Sequence, residues 1–271
     1  MESRIVRHLR LDFSPLALLW KDERPENALQ FAPGKWGCVM AMAAAAAKGR
    51  TACFSRETFG CFGGGVGLGF GNRYLDFPGG LEGFCRFLST GNAGREEEEK
   101  IAEALGPYAR KEFIDDFLHG ERYIRTPELV RSFVEKLPMT DIPASFVVLK
   151  PIEETDPGEE PVVIVFFVNP DQLSALTILA NYGREDMENV IIPYAAGCQT
   201  MGIIPYREAR SPNPRAVVGM TDISARKYTG RLLGKDKLTF TVPYRMFLEM
   251  EEHVPGSFLE GAVWKSLLTT S

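Results

Sequence analysis

The chain has 271 residues, of which 45% are hydrophobic and 25% charged, and a formal net charge of −5. That balance is ordinary for a globular protein in water and too acidic for broad contact with a nucleic-acid backbone. The length allows one large domain or two modest ones.

Residues 3–11 predict a short amphipathic helix with Ile5, Val6 and Leu9 on one face. The start is charged and lacks the apolar stretch of a secretory signal. The longest small apolar run, 38–47, is too short to span a bilayer. Residues 16–21 predict a strand, and a turn over 23–27 leads to a second at 28–32, which together read as a hairpin. Pro33 and Gly34 break the chain. An alanine-rich helix then runs to Gly49, followed by a strand at 51–55. The run 63–71 pulls two ways. Its composition favours a loop, because glycine costs about 1 kcal/mol per helical position against alanine. Its position after Cys61 favours a short, tightly packed helix, which is the reading taken. Further helices are expected at 80–88, over a charged stretch 94–119 broken near Gly106 and Pro107, and at 126–137 with Pro127 in the first turn. The glutamates opening the charged stretch suit a solvated helix N-terminus.

The second half predicts strands at 145–150, 162–168, 190–194, 216–220 and 238–242. Helices are expected at 171–183 and 223–228, with closing helical segments at 245–252 and 256–268. Residues 162–168 are apolar without alternation, so both faces of that strand are expected to be buried. The fold class is α/β of the mixed α+β kind.

The second half also reads as a diverged copy of the first. Residues 16–22 answer 146–152, the small-residue run 36–49 answers 170–183, and Gly60–Cys61 answers Gly197–Cys198. The copies are 1–140, with a helical insertion at about 94–120, and 141–271, sharing one core in one compact unit. The duplication places two Gly-Cys steps at equivalent positions.

A cysteine at a helix start meets unpaired N–H groups and the positive end of the helix dipole, so its thiolate is favoured. The same geometry binds a phosphate or carboxylate with no thiol chemistry. The competing reading makes Cys61 and Cys198 small residues filling tight core positions. The binding group expected is Cys61, Gly63, Gly64 and Gly65 from the first step, with Gly197, Cys198 and Thr200 from the second. Arg56 and Arg226 are candidates to capture an anion, set against the ordinary surface role of arginine. Gly65, Gly67 and Gly69 form a weak dinucleotide signal, because no acidic residue closes a following strand. No P-loop or hydrolase triad is present. No metal site is expected: there is no Cys-x-x-Cys, and the histidines are only His8, His119 and His253. Ligation by Cys61 and Cys198 would require a third residue to converge on them.

At the segments around 51–55, 60–70 and 194–198, the chain resembles a bacterial and archaeal family, domain of unknown function 169, over nearly its full length. The resemblance implies a soluble prokaryotic protein, often from anaerobes. It carries over no catalytic residue, because the family has no established activity.

The function expected is binding of a small anionic metabolite or cofactor in the cleft between the copies, at the Gly-Cys turns. The enzyme alternative is thiol or redox chemistry with Cys61 or Cys198 as the reactive group. A third reading is a partner-binding scaffold that uses the acidic insertion. The sequence names no cofactor, implies neither nucleic acid nor membrane as partner, and leaves a homo-oligomer open. Five cysteines, an odd number without a disulfide framework, point to a reducing cytoplasm.

Overall fold

The computed structural model of the chain describes residues 1–107 and 109–269. Two compact units are formed, one from Met1–Gly71 with Thr140–Ser271, the other from Asn72–Met139.

The first unit is built on a mixed α/β framework. Its elements in chain order are α1 (Arg4–Leu9), β1 (Leu16–Lys21), α2 (Val39–Ala46), β2 (Ala52–Ser55) and α3 (Phe62–Leu68). The second unit intervenes with a 3-10 turn at Arg73–Asp76, α4 (Gly80–Phe87), α5 (Glu96–Leu105), α6 (Lys111–His119) and α7 (Pro127–Lys136). The first unit resumes with β3 (Phe146–Pro151), β4 (Val163–Val168), α8 (Pro170–Asn181), β5 (Val190–Ile191), α9 (Gly197–Met201) and α10 (Ile203–Ala209). It closes with β6 (Ala216–Gly219), α11 (Ile223–Leu233), β7 (Leu238–Pro243), α12 (Tyr244–Glu252) and α13 (Ala262–Leu267).

Seven strands form one sheet in the order β2-β3-β1-β4-β7-β6-β5. All pairings are antiparallel except β5 with β6. Every residue of β4 is buried, as its unbroken apolar run requires. Alternation then assigns the two faces. Ala17, Leu19, Ile164, Phe166, Phe240 and Val242 point into a core shared with α1, α8 and α12. Helix α2 packs on β2 and β3, α9 on β6 and β7, and α10 on β4, β6 and β7. None of their residues belongs to that first core, so they cover the opposite face.

Local chemistry sets the ends of these helices. Thr126 caps α7 by accepting from the Leu129 N–H, and Pro127 occupies the first turn. Asn169 and Gln172 form a reciprocal capping box at α8. The charged stretch expected to be helical over 94–119 forms two helices, α5 and α6, within a unit extending from 72 to 139.

Two expectations are corrected. Residues 28–32 form no hairpin strand. Leu29 makes only an isolated parallel bridge to Ala52, because β1 already has β3 and β4 as its two neighbours. The strand expected at 190–194 stops at Ile191, and the chain turns toward α9.

Candidate functional site

The glycine-rich run after Cys61 is helical. Cys61 has extended backbone and is the N-cap of α3, its Sγ accepting from the Gly64 N–H at 3.3 Å. Gly69 closes the helix in the left-handed region at φ 91°. The glycines permit contact that no side chain would allow. A Cβ on Gly67 would fall 2.6 Å from the carbonyl carbon of Cys198, so α3 lies directly against α9. The Cys198 thiol donates to the Gly63 carbonyl at 3.0 Å, joining the two Gly-Cys steps.

Two further helix starts arrive at the same place. Cys38 caps α2 without a side-chain hydrogen bond. The turns before Cys38 and Cys61 grip one ring: a Cβ on Gly37 would meet Phe31 Cε1 at 2.1 Å, and one on Gly60 would meet Phe31 Cε2 at 2.7 Å. Asp222 caps α11, its Oδ2 accepting from the Ala225 N–H at 3.2 Å. Its Oδ1 is buried without a hydrogen-bond partner and faces Gly197, where a Cβ would lie 3.3 Å away. The same position would meet Met40 of α2 at 3.0 Å. Four helix starts, those of α2, α3, α9 and α11, therefore meet around Cys38, Cys61, Cys198 and Asp222. Just before Asp222, the buried Met220 holds φ 59°. A bulky residue in the left-handed region is strained, and such strain tends to collect at functional sites.

Electrostatics follows burial more than helix dipoles. Burial pushes the Cys198 thiol well up, and the neighbouring Cys61, Asp222 and Cys38 add to the shift. Burial also raises Cys38, and the neighbouring Asp222 adds to the shift. Burial raises the Asp222 carboxyl, with the Ala225 N–H foremost among the groups opposing it. The expectation that a helix start would favour the Cys198 thiolate is thus corrected, because desolvation exceeds what a five-residue helix supplies.

The remaining candidates divide by accessibility. Gly63 is half-buried, and Gly64, Gly65 and Gly197 are buried. Thr200 is fully buried and its hydroxyl donates to the Gly197 carbonyl at 3.0 Å, so it shapes the turn from beneath. Both arginines are held by backbone carbonyls. Arg56 donates to the carbonyls of Ala144 and Ile142 and pairs with Asp141 at 2.8 Å. Arg226, near the start of α11, helps to oppose the effect of burial on Asp222 and donates to the carbonyls of Lys237 and Lys235, which follow the helix.

Cys38 and Asp222 are the members that sequence reasoning missed. Each sits directly before a helical run, and Asp222 is a favoured cap type. That signal marks a helix start and carries no information on where the start lies in space. Among the described residues, no three or more His, Cys, Asp or Glu side chains are arranged to hold a metal ion. None of the five cysteines is disulfide-bonded. No helix among the described residues is long and apolar enough to cross a membrane.

The profile of the family domain of unknown function 169, described as uncharacterised ArCR, matches residues 4–253. No curated protein and no solved structure matches the chain.

Proposed function

The chain belongs to the domain of unknown function 169 family, and from the geometry of its helix starts we propose that it binds a small anionic metabolite or cofactor at the ring formed by Cys38, Cys61, Cys198 and Asp222. The observation carrying this reading is the convergence of these four groups from four separate segments, with an unpartnered Asp222 oxygen among them. Helix starts present N–H groups suited to a negative ligand. Burial keeps more of the nearby Cys198 and Asp222 in their neutral forms, which reduces their repulsion of an anion. A protonated Asp222 carboxyl is also a hydrogen-bond donor.

The two-copy reading belongs with this proposal. Outward from the β1–β4 pair, the sheet continues to β3 and β2 on one side and to β7 and β6 on the other, with every pairing antiparallel. That order supports a duplication with its axis between β1 and β4, in which β1 answers β4 and β3 joins the first copy, in place of the correspondence of 16–22 with 146–152 and the boundary at 140. It favours Asp222, the cap following β6, as the partner of Cys61, the cap following β2, in place of Cys198.

Thermal-shift measurement against small carboxylates, phosphates and nucleotides tests the reading in the wild type and in Cys61→Ser and Asp222→Asn. Serine and asparagine are both good N-caps, so the variants should fold. Stabilisation of the wild type by one ligand class is the expected result, weakened in Cys61→Ser and made independent of pH in Asp222→Asn. A response that both variants share unchanged with the wild type would remove the site.

A second reading, thiol chemistry, is favoured at Cys61 alone, because it is half-exposed while Cys198 is buried and pushed toward the neutral thiol.

A further inference from the structure

The second unit carries a feature unrelated to the cysteine ring. Its loops at 89–94 and 118–124 cross with backbone against backbone. A Cβ on Gly91 would lie 2.2 Å from the Leu118 carbonyl oxygen, and one on Gly120 would lie 2.3 Å from that of Ser89. Both glycines have positive φ, 87° and 81°. The fully buried Asn92 locks the crossing: its Nδ2 donates to the carbonyls of Gly83 and Phe117, and its Oδ1 accepts from Arg86 Nε. Backbone bonds from Glu121 to Phe87 and from Tyr123 and Ile124 to Leu88 extend the tie.

On this fixed crossing sits a crevice of about 280 Å³ lined by Ser89, Thr90, Arg122, Ile124 and Arg125. Two arginines and Thr90 line it beside Ser89, whose own hydroxyl is buried and donates to the Cys85 carbonyl, and no acidic residue does. Arg122 holds φ 58°, a left-handed conformation uncommon for arginine. Its Nε is spent on the His119 carbonyl at 3.1 Å, which leaves its terminal nitrogens as the remaining donors. Arg125 directly precedes Thr126, the cap of the ten-residue helix α7. Arginines on a rigid support can supply the charge-assisted hydrogen bonds that suit a tetrahedral oxyanion.

We propose that this crevice binds a phosphoryl group, as free phosphate or at the end of a small phosphate ester, between Arg122 and Arg125. The volume suits a compact ligand and is below the usual range for drug-sized ones.

The test is isothermal titration calorimetry of the full chain with inorganic phosphate, phenyl phosphate and malonate, at constant ionic strength set by chloride. Saturable one-to-one binding of a phosphoryl ligand is expected, weakened at least about tenfold in Arg125→Gln and in Arg122→Gln, since each removes charge-assisted hydrogen bonds. Arg125 is exposed, so the thermal midpoint of Arg125→Gln should match the wild type and exclude misfolding as the cause. Tighter binding of phenyl phosphate than of phosphate assigns the crevice to an ester, and the reverse assigns it to the free ion. Absence of saturable binding, binding unaffected by both variants, or malonate binding as tightly as the phosphoryl ligands would overturn the proposal.

Discussion

Gly67 and Gly202 meet backbone to backbone: a Cβ on Gly202 would fall 2.0 Å from the Gly67 carbonyl oxygen. Gly202 separates α9 from α10, and Gly67 lies in the last turn of α3. The contact brings the Cys61 and Cys198 steps together without intervening side chains, and it accounts for a glycine-rich helix that intrinsic propensity disfavours.

Alanine at either position forces these helices apart. Gly202→Ala is expected to lower unfolding free energy by about 2–4 kcal/mol, within the upper range for overpacked positions. Gly230→Ala is the contrast. Gly230 lies inside α11, and its added Cβ would meet only Lys235 Cγ, at 3.6 Å. It should stabilise by about 0.4–1 kcal/mol through helix propensity and a less flexible unfolded chain. Urea unfolding of both variants checks the pair, and equal effects would refute the close-packing account.

The thiols should react in a fixed order. Cys61 is half-exposed, whereas Cys53, Cys85 and Cys198 are buried. Burial raises Cys53 to about 11 and Cys198 further from the thiolate form. Since the thiolate is the reactive species, iodoacetamide at pH 8 should label Cys61 first and leave those three untouched until the chain unfolds. Peptide mass spectrometry against time reads this directly. Early labelling of Cys198 would show that the α3–α9 contact opens in solution.

The sequence made local features plain and spatial ones obscure. The buried strand β4, the helix begun at Cys61 and the helices α5 and α6 follow from apolar runs, caps and breakers within a few residues of each other. The supposed strand at 28–32 fails because its alternation competes for a place beside β1 that β3 and β4 occupy. Half of the candidate ring, Cys38 and Asp222, escaped for a related reason. Their importance comes from helices that sequence leaves far apart, since α2 and α11 are separated by more than half the chain. The carbonyls of Ala144 and Ile142 that hold Arg56 lie more than 80 residues away and were equally invisible to any local pattern.

Acid should loosen the β3–β4 connection through Glu159. Burial by itself would raise this carboxyl, but hydrogen bonds from Lys150 and Lys21 outweigh it and hold the group at about 2. A carboxyl depressed in the folded state binds fewer protons there than in the unfolded chain. Its stabilisation is therefore complete above the ordinary value near 4.5 and is lost as pH falls toward about 2. Glu159→Gln should be less stable than wild type at pH 7 and show a shallower loss of stability between these limits. Urea midpoints measured at half-unit pH steps test this, and parallel curves for the two proteins would exclude the role.

Asp222 carries the opposite sign. Its carboxyl is raised by burial, so the folded chain binds the proton more tightly than the unfolded one. Stability must then fall as pH rises from the ordinary value of 3.8 through the folded one, and above that window the ionised carboxylate is a standing cost. Asparagine keeps the cap on Ala225 and removes the charge. Asp222→Asn is therefore expected to stabilise the protein at pH 7 by about 0.5–2 kcal/mol, the range of single stabilising replacements, and to flatten the pH dependence above 3.8. An anionic ligand favours the protonated carboxyl, so ligand binding by the wild type should weaken as pH rises through the same window, whereas the asparagine variant, a neutral donor, should bind without that pH dependence. Unfolding free energy and ligand-induced thermal shift, measured on one preparation, separate the cases. A variant that is less stable at pH 7 would make Asp222 a structural cap, whereas one that is more stable and binds ligand without the pH dependence of the wild type would tie the Asp222 carboxyl to binding.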